Sequence, residues 1–164
     1  MLPMGGDSTE PYVMKADEIY VRVNRGAGDA PPQVSNVLSK GNVHLTQAQK
    51  DGAEPLLIEG DQLDIDSRGP ADQQMVVHGQ PGHVKNRGAH IEGSRIVFDR
   101  VKNTADVDHA GTLHLPMKQS TETGKPEKTT PFDVSWVEKM HFDGKTALFT
   151  GSVHCKLDDG EEQT

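Results

Sequence analysis

The sequence predicts an all-β domain built from stacked two-strand repeats, and three observations support this. Only 33% of the 164 residues are hydrophobic and 4% are aromatic, which favours a long, thin sheet over a thick core. Seventeen glycines and ten prolines interrupt helices and supply turns. Apolar residues recur at every second position through much of the chain, which is the period of a half-buried strand.

The central stretch, residues 58–115, carries one pattern twice. Each copy has an apolar-x-apolar-Asp strand, a turn without apolar residues, and a second alternating strand that contains a glycine. The first copy opens at Leu63-Asp64-Ile65-Asp66 and the second at Ile96-Val97-Phe98-Asp99. Related strands begin at Ile19 and Met140, which gives four units. Such a unit cannot bury its own apolar face, so neighbouring units must stack.

The chain divides around these units into strands and loops. We assign residues 1–15 to a flexible lead-in, 16–157 to the domain and 158–164 to an acidic tail. Alternation predicts strand regions at 16–23, 34–47, 134–142 and 146–157 in addition to the central stretch. Loops are expected at 25–33, 48–55 and 116–131. Pro81-Gly82 shifts the following valine by one residue, which predicts a β-bulge.

Composition argues against several classes of protein. The net charge is 17 − 25 = −8, whereas a nucleic-acid binder needs a basic surface. The single cysteine, Cys155, forms no intramolecular disulfide, and its parity predicts a small core residue. An apolar run of about 18 residues, the length of a transmembrane helix, is absent. The N-terminus lacks the features of a signal peptide, and because the repeats begin at once we expect a piece of a longer exported chain.

One face of the predicted strands is apolar throughout. The residues on this inward parity are Ile19, Val21, Val43, Leu45, Leu63, Ile65, Ile96, Phe98, Leu113, Leu115, Met140, Phe142 and Val153. They can form a filled core, or part of the face can line a groove for an apolar ligand.

Three histidines repeat at one place in the units. His44, His114 and His154 each follow a glycine by three residues and have the outward parity. On adjacent strands they would form a ladder able to bind zinc or to respond to acid pH. No acidic or cysteine partner has a fixed offset from all three, so we predict no metal site and interpret them as surface residues.

Aspartates also repeat, at Asp64, Asp66, Asp99 and Asp143. A carboxylate pair would suit glycoside chemistry, but charges on outward positions also oppose aggregation of exposed strands. A catalytic pair needs one site rather than one in each unit. Phosphate loops, nucleophile elbows and Cys/His dyads are missing from the sequence. We therefore predict no enzyme and no cofactor.

The repeats resemble the OstA-like, or organic-solvent-tolerance, family. The matching pieces are Ala16-Asp17-Glu18-Ile19-Tyr20-Val21, Gly41-Asn42-Val43-His44-Leu45 and Glu59-Gly60-Asp61-Gln62-Leu63-Asp64-Ile65-Asp66. The resemblance covers roughly residues 16–157. The family includes periplasmic lipopolysaccharide-transport bridge proteins.

This resemblance implies an open, twisted β-jellyroll in the periplasm or cell envelope. Two facing sheets would enclose a groove for the acyl chains of lipopolysaccharide or a similar amphiphile, and the inward residues above would line it. Domains of this kind join end to end, so other OstA-like domains are expected partners. A structural β-solenoid with a filled core and a polysaccharide-active β-helix enzyme are the alternatives.

Overall fold

The computed structural model of the chain describes residues 11–49, 52–67, 73–119 and 128–157, and these residues contain strands but no helix. The strands are β1 (Tyr12–Lys15), β2 (Glu18–Asn24), β3 (Gln33–Gln47), β4 (Leu56–Ser67), β5 (Gln73–Asn86), β6 (Ala89–Asp99), β7 (Thr104–Gln119), β8 (Lys128–Trp136), β9 (Lys139–Phe142), β10 (Ala147–Thr150) and β11 (His154–Leu157). Within the described ranges, nothing meets the length and apolarity that a membrane-crossing helix requires. The all-β prediction is confirmed.

Five long strands form the centre of the molecule. Strands β3 to β7 follow one another in sequence order, each antiparallel to the next. At one end, β1 and β2 pair with different parts of β3. At the other end, β8 and β9 pair with different parts of β7. Strand β11 then pairs with β8, and β10 pairs with β9. The sheet is therefore split into two halves at both ends.

A crease crosses the long strands and separates these halves. Pairing between successive strands shifts register at Lys40/Val43, Glu59/Gln62, His78/Gly82 and Gly93/Arg95. We call the part that contains β2, β9 and β10 the first half-sheet, and the part that contains β1, β8 and β11 the second half-sheet. The bulge predicted at Pro81-Gly82 is confirmed as one of four shifts in a row.

Glycines occupy the crease because the backbones approach closely there. A Cβ atom on Gly60 would lie 2.5 Å from the carbonyl oxygen of His78, and one on Gly93 would overlap the Val107 side chain. Only glycine fits such approaches without a shift of its neighbours. Gly60 and Gly93, which precede the apolar-x-apolar-Asp strands of their repeats, are therefore part of the bend.

The two half-sheets fold onto each other and share one core. The Ser39 hydroxyl of the first half-sheet donates a hydrogen bond to the Met14 sulfur of the second, over 2.6 Å. The centroid of the Trp136 ring in the second half-sheet lies 5.2 Å from the centroid of the Phe149 ring in the first. Buried apolar side chains from both halves form a single cluster. The architecture is an open jellyroll with a crease on one side.

Several predicted boundaries differ from the structure. Tyr12–Lys15, within the segment assigned to the lead-in, is strand β1 and pairs with His44 to Gln47. The predicted loop 116–131 is shorter, because β7 extends to Gln119 and β8 begins at Lys128. Residues 1–10, 120–127 and 158–164 lie outside the described residues, so the acidic tail and most of the lead-in remain predictions.

Two predicted strand regions are each broken in two. The region 134–142 splits at Val137-Glu138 and the region 146–157 splits at Gly151 to Val153. Each break is where the chain passes from one half-sheet to the other. Gly151 has a φ of +76° there, a left-handed conformation that ends a strand unless a partner pairs on both sides of it.

Candidate functional site

The inner surface of the jellyroll is the predicted apolar face. Nine of the thirteen predicted residues are buried in it: Val43, Leu45, Leu63, Ile65, Ile96, Phe98, Leu113, Met140 and Phe142. Leu115 is half-buried and packs against the same cluster. Period-2 alternation thus identified the correct face of β3, β4, β6, β7 and β9.

The inner face continues beyond the buried core at the end formed by β2. Ile19 is paired with Ser39 and Val21 with Val37, so both side chains lie on the inner side of the sheet. They are nevertheless 46% and 53% exposed, because β2 is an edge strand in the described fold. The parity predicted for Ile19 and Val21 is correct, but these residues are uncovered.

The opposite end, at β11, is uncovered in the same way. Cys155 pairs with Val134 and Leu157 with Phe132, so both lie on the inner side while remaining exposed. The core position predicted for Cys155 is therefore wrong. Val153 precedes β11 and is 39% exposed, so its assignment to an inward strand position is also wrong.

Between these ends, closely packed side chains fill the space between the two half-sheets. Leu45, Leu63, Val77, Ile96 and Val107 have no exposed surface. A cavity of about 40 Å³ remains on the side opposite the crease, roughly enough for one water molecule. We call this side the mouth; its apolar lining includes Leu56, Ile58, Met75, Val84 and Phe98.

Polar side chains frame the mouth. The Arg100 guanidinium donates hydrogen bonds to the Tyr12 hydroxyl and to Gln73 Oε1, and Arg87 also borders the cavity. Burial raises the pKa of Tyr12, and Arg100 partly offsets this. The Lys102 backbone N–H donates a hydrogen bond to Asp99 Oδ1, with an N···O distance of 3.0 Å. This bond holds the pKa of Asp99 below its usual value. The rim therefore combines two cations and the Asp99 carboxylate with an apolar lining.

The outer faces carry histidine–carboxylate pairs between adjacent strands. His44 lies 3.1 Å from Glu59, and His114 lies 2.6 Å from Asp133. The histidine ladder considered from the sequence is absent, because His44, His114 and His154 belong to β3, β7 and β11, which are not neighbours.

One outer-face group brings three candidate metal ligands together. His83, His90 and Glu92 meet on the second half-sheet, and within the described residues no other group of three has this property. No repeated motif in the sequence marks these three residues.

The repeated aspartates have separate local roles. Asp64 accepts a hydrogen bond from the Asn36 amide at 2.6 Å. Asp99 accepts one from the backbone of the turn after β6, and Asp143 accepts two from the backbone N–H groups of Lys145 and Thr146. These backbone hydrogen bonds lower the pKa of Asp143. Asp99 and Asp143 thus lie at strand ends, where they stabilise turns.

Several core residues were not among the predicted set. They are Ile58, Met75, Val77, Val84, Ile91, Val107, Val134 and Trp136, all of them buried. Their alternation with polar residues is the signal that would have found them. None of them lies in a predicted turn, and Met75, Val77, Val84 and Val107 belong to the second strands of the units.

The fold has a counterpart among solved structures. A scan against protein-family models and a search of curated proteins both find no match. The chain is similar to the crystal structure of LptH, described as the LptA-homologous periplasmic component of the conserved lipopolysaccharide transport device from Pseudomonas aeruginosa. The TM-score is 0.55 at 12% identity, and the match covers 89% of this chain and 86% of that chain. The chain therefore has an LptA-like β-jellyroll fold.

Proposed function

We propose that this chain is an OstA-like, non-enzymatic module of the cell envelope that holds acyl chains of a lipopolysaccharide-like amphiphile between its two half-sheets. One observation carries the proposal: the apolar inner face runs through the molecule and is uncovered at both ends. In a purely structural core, apolar side chains are expected only where other residues cover them, whereas here the edge strands β2 and β11 carry exposed apolar side chains on the inner side. The similarity to LptH supports the same role and a periplasmic location.

Acyl chains would be held by the hydrophobic effect. Each buried methylene contributes about 0.8 kcal/mol, so a chain laid along the inner face gains several kcal/mol over a few carbons. The 40 Å³ cavity is too small for such a chain. Binding therefore starts at the uncovered ends, beside Ile19 and Val21 or beside Cys155 and Leu157, and proceeds inward as the half-sheets separate at the mouth.

The mouth suits an amphiphile rather than a neutral hydrocarbon. Arg87 and Arg100 border its apolar lining. A guanidinium is a good partner for phosphate or carboxylate groups. An anionic head group at the rim would thus keep its charge at the surface while its chains lie inside.

Assembly end to end is the second part of the proposal. Each half-sheet finishes in an edge strand at both ends, and such edges can add strands from another domain. Joining domains in this way would align their inner faces into one longer apolar surface. Other OstA-like domains are the proposed partners.

A fluorophore test separates a binding interior from a filled scaffold. An environment-sensitive dye on Cys155, the only cysteine, reports on the inner side of β11. The matched control carries the dye one residue along, in a Cys155→Ser, Lys156→Cys variant, because Lys156 pairs with Asp133 on the outer side. We expect lipopolysaccharide to shift the emission of the dye at position 155 to the blue and to leave position 156 nearly unchanged.

Oligosaccharide lacking acyl chains should produce no shift at either position. An equal response at 155 and 156, or none at both, would contradict binding along the inner face. That result would favour the scaffold alternative, which the tight packing around Leu45, Leu63 and Ile96 also supports.

A further inference from the structure

The hairpin of β5 and β6 brings two histidines and a glutamate together on the outer face. His83 and Glu92 are directly paired across the two strands. His90 precedes Glu92 by two residues and so lies on the same face. The hairpin turn is short, and its central residues Arg87 and Gly88 have φ values of 51° and 81°, as expected of a type I′ turn. The turn fixes the register that places the three side chains together.

The ligand atoms of this triad form a nearly equilateral triangle. His83 Nδ1 lies 3.4 Å from His90 Nε2 and 3.3 Å from Glu92 Oε1, and the remaining side, from His90 Nε2 to Glu92 Oε1, is 3.4 Å. A tetrahedral zinc ion with bonds of about 2.0–2.1 Å separates its ligands by about 3.3–3.4 Å. We infer that His83, His90 and Glu92 form a binding site for a zinc-like divalent metal ion.

The chemistry of the three groups agrees with this geometry. Two imidazoles and one carboxylate are a known zinc ligand set, and a water molecule completes four-coordination in such sites. The side chains are 31%, 26% and 33% exposed, so the fourth position can reach solvent. The carboxylate charge of Glu92 offsets part of the ion's charge.

Other histidines on the outer surface lack this arrangement. His44 contacts Glu59, and His141 contacts Asp106, but among the described residues neither histidine belongs to a group of three metal-ligating side chains. Two ligand atoms hold zinc far more weakly than three. His44 is therefore a matched control, since it lies on the same half-sheet and has the same kind of carboxylate neighbour.

The site is tested with the protein free of any histidine tag and stripped of metal by a chelator. Isothermal titration with Zn²⁺ should give one site per chain, and the melting temperature should rise by a few degrees on saturation. Cobalt(II) should give the intense visible absorption of a tetrahedral complex. The substitutions His83→Gln, His90→Gln and Glu92→Gln should each weaken zinc binding at least tenfold, whereas His44→Gln should leave it unchanged.

Three results would overturn the inference. They are the absence of a stoichiometric site, a loss of binding in His44→Gln equal to that in His83→Gln, and weak binding of several ions that the triad substitutions do not alter. Far-UV circular dichroism of each variant establishes that a loss of binding is not a loss of fold. The test is independent of the lipid proposal, because it needs no amphiphile.

Discussion

Adjacent residues in β6 have opposite surroundings. Phe98 is 5% exposed inside the jellyroll, whereas Val97 is only partly buried on the outer face, where it pairs with Asp106 of β7. The alternation of strand side chains produces this contrast. A shift of register by one residue would exchange the two environments.

We expect Phe98→Asn to lower the free energy of unfolding by at least about 3 kcal/mol, because it removes a buried ring and buries an amide. Val97→Asn should cost less than about 1 kcal/mol, since its side chain remains in contact with solvent. Urea denaturation measures both. Equal costs for the two variants would mean that the assigned faces are wrong.

The charge of the Asp99 carboxylate makes the stability of the fold depend on pH. The folded protein lowers the pKa of Asp99 below 3.8, so the carboxylate stabilises the fold above that pH and loses this contribution as the pH falls through its folded pKa. Asp99→Asn keeps an acceptor for the Lys102 N–H but removes the charge. We expect the variant to melt about 2–4 °C lower at pH 7, the shift that corresponds to roughly 1 kcal/mol in a domain of this size.

The same comparison at pH 3 provides the control for Asp99. There the difference in melting temperature should shrink, because pH 3 lies below 3.8, where the carboxyl of the unfolded chain takes up a proton and the advantage of the folded carboxylate declines. A deficit as large at pH 3 as at pH 7 would show that the asparagine disturbs the turn rather than the charge.

At the residue scale, the sequence predicted which side chains face inward but not what the outward ones contact. The alternation alone placed Leu63 and Phe98 inside. Glu59, the partner of His44, is 15 residues away in sequence, and their meeting depends on the register between β3 and β4. Alternation within a strand does not give the register between two strands, so it identified neither this pair nor the group of His83, His90 and Glu92.

The crease is the feature that turns a flat sheet into a jellyroll. At Gly93 the bend brings the backbone of β6 against Val107 of β7, which is fully buried. Close packing leaves no room for a further methyl group at this point. The bend therefore depends on steric fit as well as on backbone conformation.

We expect Gly93→Ala to destabilise the protein by about 1–3 kcal/mol through overpacking against Val107. Combining it with Val107→Ala should cost less than the sum of the two single substitutions, because the second change makes room for the new methyl group. Chemical denaturation of all four proteins gives this coupling energy. Strict additivity would indicate that the overlap at Gly93 is not what limits substitution there.

At the element scale, the sequence could not distinguish a bend within a strand from a break between strands. Gly41 and Asn42 have φ values of 74° and 47°, and Gly151 and Ser152 have nearly the same values, 76° and 43°. The first pair lies within β3, since β4 pairs with β3 on both sides of it. The second pair separates β10 from β11, because these strands join different neighbours. Only tertiary pairing decides between the two outcomes.

At the scale of the whole molecule, the described part of the chain has two uncovered ends of the same kind. Strands β1 and β2 finish the half-sheets at one end, and β11 and β10 finish them at the other. Apolar side chains on the inner side accompany these edges, including Ile19 and Leu157, which are 46% and 52% exposed. Both backbone pairing and apolar burial would thus be gained by stacking two molecules end to end.

We expect association that increases with protein concentration, measurable by light scattering. Proline substitutions at the consecutive positions Tyr20 and Val21 test the edge of β2, because backbone N–H groups of an edge strand alternate between its partner and the open side. The proline that removes the open-side N–H should reduce association and preserve the circular dichroism spectrum. The other should disrupt pairing with β3.

A protein that remains monomeric at every concentration would contradict end-to-end assembly. So would association that neither proline alters, because it would then use a surface other than the edge of β2. Neither outcome would contradict lipid binding along the inner face of a single molecule, which has its own test.

The most direct test of the lipid proposal uses Trp136, the only tryptophan, which is 2% exposed on the inner face beside Phe149. A single-chain lipid with bromine on its acyl chain quenches tryptophan on contact and can be titrated below its micelle concentration. We predict saturable quenching by the brominated lipid, none by the unbrominated one, and little by a water-soluble quencher. Fluorescence that stays unchanged while the lipid binds would contradict the proposal, because the acyl chain would then lie outside the jellyroll.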